Sequence, residues 1–512
     1  MTEPPITPAT PSNPKSPLLQ LLNKALQTTQ HPIAKNILLG MQIAFSDGNS
    51  IKVFLLGVVF LGRFNADPDH TAANGIILAV LNLILTLNAP IYSTTNFLPT
   101  LFGKLESDTA SSEEKIEVKK DIVAFFQAGL ICATLATLFV ELAFSNSEYL
   151  LTNVFKQDKN VASIASSFLH KTQFYIPALH FYFPATQLIL TTNETNILNL
   201  SSVILLLTMS CTAFAAFYWN MQTTAVIAGF TIHSYSETLL FNAFILKSKK
   251  YQSLQLLKNI FLDYPRAIEK FQLLLRDGLT LTIRIGTDLL FMFAMTTLSI
   301  SFGVNQQAAL GLIFQFAWLA TFFAVGISIA NKISLGKAFG VDNSPNNIFI
   351  TSKNCLIAAT IGSSVFPLFL LFPDLVMKLF SPQHPEVQQF VRVISPCVAA
   401  ASFFEGCGFT PLMFMQLNQI GKTANRQATF LRFAGASLGL FVAYIAAFAM
   451  DGGALGLARG LLVFMGSSAI MLGILLQHKL APHAGKASLW DTMTHFCCKK
   501  SDATPAIEMS PV

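Results

Sequence analysis

The chain has 512 residues, of which 52% are hydrophobic and only 12% charged, with a formal net charge of +6. An ordinary soluble domain carries about a quarter charged residues, so this composition excludes one and points to a membrane protein. Its 46 phenylalanines exceed the needs of a single soluble core but suit lipid-facing helices. The seven cysteines form no C-x-x-C and no metal-ligand spacing, which argues against a disulfide framework or a zinc site.

Residues 1–35 open with MTEPPITPATPSNPKSP, rich in Pro, Thr and Ser and without the apolar core of a signal peptide. They read as a disordered cytoplasmic tail. Apolar stretches of about 20 residues or more, the length that crosses a bilayer, then recur at 36–61, 75–101, 121–145, 162–191, 196–218 and 222–246. After a polar stretch they resume at 276–300, 306–335, 350–372, 388–417, 428–449 and 453–476. The expected fold is therefore an all-α membrane protein of about twelve spanning helices. It divides into a first six-helix bundle (36–246), a cytoplasmic linker (247–275), a second six-helix bundle (276–476) and a cytoplasmic tail (477–512). In the linker Leu254, Leu257, Ile260, Phe261, Ile268, Phe271, Leu274 and Leu275 recur near helical spacing, which predicts an amphipathic helix at the membrane surface. Pro177, Pro184, Pro367 and Pro396 are expected to kink their helices. Cys497 and Cys498, beside Lys499 and Lys500, read as free cytosolic thiols, the alternative being palmitoylation with the lysines touching anionic lipid.

Charge placement orients the spans. With both termini in the cytoplasm, 21 basic residues fall on that side, 20 outside the spans and Arg276 at the edge of one, and four (Arg63, Lys156, Lys159 and Lys378) on the other. This is the bias that the positive-inside rule predicts.

The two halves also echo each other. LGRFNADPDHTAANGI leads through an apolar span to PTLFGK, and SFGVNQQAALGLI leads through another to SLGKAFG. Ala73 and Ala309 lie 236 residues apart, Gly103 and Gly340 237 apart (309 − 73 and 340 − 103). Near-equal offsets indicate duplication, and parallel repeats about an axis along the membrane normal are a transporter architecture.

These motifs resemble the multidrug and toxic compound extrusion (MATE) family. The resemblance rests on the Gly loop and Ala-Ala pair that open each half and on LGKAFGVDN at 335–343 with Gly336 and Gly340. It extends through LFSPQHPEVQQFVRVISP, QLNQIGKTANRQ and GASLGLFVAYIAAFAMDGGALGLARGLL, over about 36–480. It implies two six-helix bundles around a central cavity and export of small organic compounds coupled to inward Na+ or H+. No further cofactor and no nucleic-acid partner are implied, and a monomer is expected.

An ionisable residue inside a span is a functional candidate by default. Asp288 lies ten residues after Gly278 and fifteen before Gly303, where the resemblance implies a cation-binding acid. A buried carboxylate there binds Na+ or carries a proton, or else pairs permanently with Arg284 four residues earlier. Glu405 is a second candidate, although the matching acidic position falls on Gly408; its alternative partners are Arg432 and Arg459. In the first span the matching position is Gly57, so Asp47 would have to act from about three turns away, or pair with Lys52. Gln187, Asn193 and Arg284 are candidates for lining a substrate cavity, and Glu194 is equally readable as solvated. His180 and His233 read as hydrogen-bonded core residues rather than proton relays.

Three classes of function follow. The leading one is a cation-coupled antiporter. A flippase for lipid or lipid-linked substrates shares its architecture, and a degenerate transporter acting as receptor or scaffold explains the missing first-span acid. An enzyme is not expected, because H-x-x-x-x-D, H-E-x-x-H and Walker A sequences are absent. The topology has a direct check. Cysteines introduced at positions 10 and 505 should resist an impermeant thiol reagent in intact cells and react after permeabilisation. Labelling from outside would invert the assignment.

Overall fold

The computed structural model describes residues 31–47, 80, 86–154, 159–192, 194–218, 222–254, 256, 263–365, 367–374, 385–421 and 423–484. Its regular elements are all helical. In chain order we number α1 (Pro32–Asp47), α2 (Leu98–Glu106), α3 (Ser112–Ser145), α4 (Lys159–Thr172), α5 (Ile176–Thr191), α6 (Thr195–Tyr218) and α7 (Gln222–Lys247). The second half contains α8 (Tyr264–Ser299), α9 (Val304–Val341), α10 (Pro345–Val365), α11 (Pro385–Phe414), α12 (Ala424–Tyr444) and α13 (Gly453–Ala484).

Among the described residues, six helices are long and apolar enough to cross a membrane, those at Ser112–Ser145, Tyr264–Ser299, Pro345–Leu370, Pro385–Phe414, Ala424–Ala449 and Gly453–His483. On α3, Leu135, Leu138, Phe139 and Leu142 form one exposed face, and Phe430, Phe433 and Phe441 do so on α12. Such stripes are an aggregation hazard in water and ordinary in lipid. The chain is an integral, multi-pass membrane protein.

Several expected spans are interrupted. The stretch 162–191 is two helices, α4 and α5, joined by a 3-10 turn at Gln173–Tyr175 just before Pro177. Proline lacks an N–H and restricts the residue before it, so it favours the first turn of a new helix. Pro184 and Pro396 lie inside α5 and α11, and the residue before Pro367 lies outside the described residues. Much of the first two expected spans lies outside the described residues.

The larger departure concerns the linker. Helix α8 begins at Tyr264, so residues 264–275 form its first turns rather than a separate surface helix. Ion pairs hold them against the start of α3. Arg266 contacts Glu117 and Asp121, each at 2.9 Å, and Lys270 contacts Asp121 at 3.1 Å. Leu274 is fully buried in the core of the first half, with Phe271 and Leu273 packed beside it. Of the apolar residues in that periodicity, Leu254, Phe271 and Leu274 face protein and Ile268 and Leu275 are exposed, while Leu257, Ile260 and Phe261 lie outside the described residues.

Each half has its own core, and α9 joins them by inserting Ala330 and Ile333 into the core of the first half. Helix α1 packs antiparallel to α9. Ser334 donates to Asn36 at 2.9 Å, and Gly40 meets Ile327 farther along. Helix α2 crosses the other side of α9 at Gly103 and Gly340. A Cβ on Gly103 would stand 2.5 Å from the Lys337 carbonyl and 3.0 Å from the Gly340 Cα. The two glycines that the repeat offset equates therefore touch each other, and equivalent residues of two repeats can do so only near the axis that relates them. A Cβ on Gly340 would run into the Thr100 carbonyl, so Gly340→Ala must push the halves apart. Overpacking of this kind costs about 1–3 kcal/mol. Thermal unfolding of the purified variant in detergent should show the loss, and an unchanged midpoint would refute so close a crossing.

Candidate functional site

In the second half the chain folds two sequence candidates onto one cation. Arg432, on α12, has a side chain only 3% exposed. Its Nε donates to Asp288 Oδ1 on α8 at 2.8 Å, and its Nη2 lies 3.5 Å from Glu405 Oε1 on α11. From α9, Thr321 Oγ1 donates to Glu405 Oε2 at 2.9 Å. The guanidinium plane lies over Phe464 of α13, 4.4 Å from the ring centroid. Five helices thus converge on one charge. A cation stacked on an aromatic face and held by two carboxylates is well fixed, because the low dielectric strengthens each contact.

The partnerships differ from those the spacing suggests. Arg284 does not take Asp288, which is engaged by Arg432. Arg284 is buried, and its Nη1 makes no hydrogen bond. Four-residue spacing puts two side chains on one helix face, but a neighbouring helix can offer a better-aimed partner. For Glu405, Arg432 is the partner and Arg459 is exposed. The alternative acidic position, Gly408, is closed by packing, since a Cβ there would stand 3.3 Å from Ala469 of α13. An acid one turn earlier, at 405, reaches the interior instead.

The first half is less complete. Asp47 ends α1, and its side chain, like Lys52 and Gly57, lies outside the described residues. Gln187 is buried in α5, with its Nε2 making no hydrogen bond. Asn193 also lies outside the described residues. Glu194 pairs with Lys250 at 3.4 Å, both partly exposed. His180 Nδ1 lies 2.7 Å from Asn88 Oδ1 in the core.

One residue escaped the sequence reading because it stood inside an expected span. Lys332 of α9 is 1% exposed. Its ammonium donates to Thr95 Oγ1 at 2.8 Å and Asn96 Oδ1 at 2.6 Å in the first half, and to Gln416 Oε1 at 2.9 Å in the second. Asp277, at the start of the membrane part of α8, lies within reach of Asn96 and Lys332. A lysine in an apolar span, four residues before a Gly-x-x-x-Gly element, was the available signal.

No family model matches the chain. A curated relative, the probable multidrug resistance protein NorM of Agrobacterium fabrum, is 24% identical over 340 residues, 65% of this chain and 72% of that protein. Among solved structures, the eukaryotic MATE transporter AtDTX14 superposes with a TM-score of 0.69 at 13% identity, covering 88% of this chain and 98% of its own. An outward-facing multidrug resistance MATE family transporter of the MOP superfamily gives 0.70 at 15%, covering 90% and 98%. The fold is that of these transporters, and the resemblance read from short motifs extends across most of the chain.

The shared guanidinium makes a testable demand. Arg432→Gln leaves two carboxylates facing each other without their cation, and breaking a buried pair costs about 3–5 kcal/mol. Adding Asp288→Asn and Glu405→Gln to that variant should restore most of its thermal stability in detergent. A triple variant no more stable than Arg432→Gln would mean that the acids do not depend on Arg432.

Proposed function

We propose that this chain, which has the MATE fold and resembles that family, is an efflux transporter for small organic, multidrug-like compounds, driven by inward proton movement through the Asp288–Arg432–Glu405 cluster. The observation that carries this reading is the guanidinium shared by acids from two other helices. Arg432 already occupies the space between the carboxylates where Na+ would have to sit. A metal ion would have to expel it, whereas a proton needs only to neutralise one acid. Protonation of Asp288 or Glu405 removes one arm of the bridge and leaves Arg432 to the other, which changes how α8, α11 and α12 are tied together.

The same reading extends to alternating access. The contacts between halves described above involve α1, α2, the first turns of α8 and the later part of α9. They close the face that bears Lys104 and Lys337, which the charge bias places in the cytoplasm. The arrangement corresponds to an outward-facing state of a monomer with both termini inside. Opening that face requires Lys332 to give up Thr95 and Asn96. Arg284 and Gln187, each buried with an unsatisfied nitrogen, are polar groups available to cargo.

The test uses purified protein in proteoliposomes with ethidium as cargo. A proton gradient, and not a Na+ gradient, should drive ethidium movement. Asp288→Asn and Glu405→Gln should each reduce it by about 5–150-fold, the range of a typical coupling free energy. Exchange of ethidium for ethidium, which needs no ion, should persist. Full gradient-driven transport in both variants would remove the cluster from the coupling step, and transport driven only by Na+ would overturn the choice of ion.

A further inference from the structure

The first half contains an ionisable pair that the reading above does not use. His233 and Glu237, one turn apart on α7, are 1% and 0% exposed at their side chains, with Nε2 and Oε2 3.2 Å apart. Ser201 of α6 donates its hydroxyl to the other carboxylate oxygen, Oε1. Tyr175, in the turn that precedes α5, faces Glu237. Thr238, next to Glu237, donates to the Ala178 carbonyl of α5 at 2.8 Å. Glu237 lies about 15 Å along α7 from its Lys247 end at ~1.5 Å per residue, about half of the ~30 Å hydrocarbon thickness. The pair is therefore enclosed near mid-membrane by the helices around it.

We infer that His233 and Glu237 form a second proton-binding site, in the opposite half from the Asp288–Arg432–Glu405 cluster, and that its proton is occluded in this conformation. The inference rests on the reading of the chain as a proton-driven transporter. Charge balance supports it. With one proton between them the pair is neutral overall, whether that proton sits on Nε2 beside a carboxylate or on the carboxyl beside a neutral imidazole. Releasing the proton leaves the pair negative, and accepting another leaves it positive. Either is costly beside the neutral hydroxyls of Ser201 and Tyr175, which favours the singly protonated pair until the helices admit water. A packing role alone gains nothing from two titratable groups in place of two apolar ones. The hydroxyls of Ser201 and Tyr175 flank the carboxylate, one on α6 and the other ahead of α5. Movement between α5, α6 and α7 would therefore alter the site directly.

The experiment compares wild type, Glu237→Gln and Asp288→Asn as purified full-length proteins. Infrared difference spectra between acidic and alkaline buffer should show a titrating carboxyl band that Glu237→Gln loses and Asp288→Asn keeps. In proteoliposomes, Glu237→Gln should lose about tenfold or more of proton-driven ethidium movement, while ethidium-for-ethidium exchange continues. An unchanged infrared difference in Glu237→Gln, or proton-driven transport at the wild-type rate, would overturn the proposal. If Glu237→Gln does not fold, His233→Gln carries the test. It should shift the pH dependence of proton-driven transport, and an unshifted profile overturns the proposal. A wild-type protein that shows the band assigned to Glu237 yet moves no ethidium supports the proton site and counts against the transport reading alone.

Discussion

An ammonium group that has lost its water must recover its hydrogen bonds from protein, and Lys332 recovers three, two of them across the boundary between the halves. Two acceptors come from the 3-10 turn at Ser93–Asn96 and the third from the end of the tenth expected span. None is charged, so the arrangement holds only while all three oxygens converge. The glycine crossing at 103 and 340 permits that convergence by letting α2 and α9 approach backbone to backbone. A side chain at either glycine would hold the helices apart and leave the ammonium without its first-half acceptors. The pseudo-axis contact and the buried lysine are thus one constraint seen at two depths of the same seam.

The sequence made the class, the repeat and the second-half acids legible because each leaves a one-dimensional trace. Span length, charge asymmetry and residue offsets need no knowledge of which helix faces which. The partner of each buried charge was not legible for the same reason. Arg284 and Asp288 share four-residue spacing with His233 and Glu237, yet only the second spacing produces a close pair. What separates them is a third residue on another helix, Arg432, whose reach depends on how α12 is rotated. His233 was read as a solitary core histidine although Glu237 stands one turn later. In an apolar span, H-x-x-x-E was the signal, and an acid that nothing nearby in sequence neutralises should have prompted the search for it. Gly408 shows the reverse case, since a position expected to be acidic is held small by Ala469.

The linker illustrates a further limit. Its periodicity was real, but periodicity names an apolar face without saying what covers it. Here Glu117 and Asp121 on α3 attract Arg266 and Lys270, Leu274 turns into the first-half core while Ile268 and Leu275 stay exposed, and residues 264–275 continue as the start of α8. These partly exposed ion pairs contribute little individually. Their effect is to set the direction in which α8 enters the membrane.

That direction connects the seam to the ionisable cluster. Helix α8 meets the first half in its N-terminal part, where Gly278 packs on Pro90 and Ser93 donates to the Leu274 carbonyl at 3.3 Å. Asp288 lies eleven residues after Asp277 on the same helix, about 16 Å away at ~1.5 Å per residue. A helix of this length is stiff, so a change in how Arg432 holds Asp288 is felt as a tilt where α8 touches Pro90 and where Asp277 faces Lys332. Two sites that far apart need a bistable element between them for coupling to have physical content. In the proposed cycle helix α8 would be that element, held at Asp288 by the Arg432 guanidinium and nearer its start by the seam at Pro90. The first half has no such lever toward His233 and Glu237 among the described residues. Those groups sit between α7, α6 and the turn before α5, so local separation of these helices, rather than a tilt passed along one of them, is the motion to which that pair would respond.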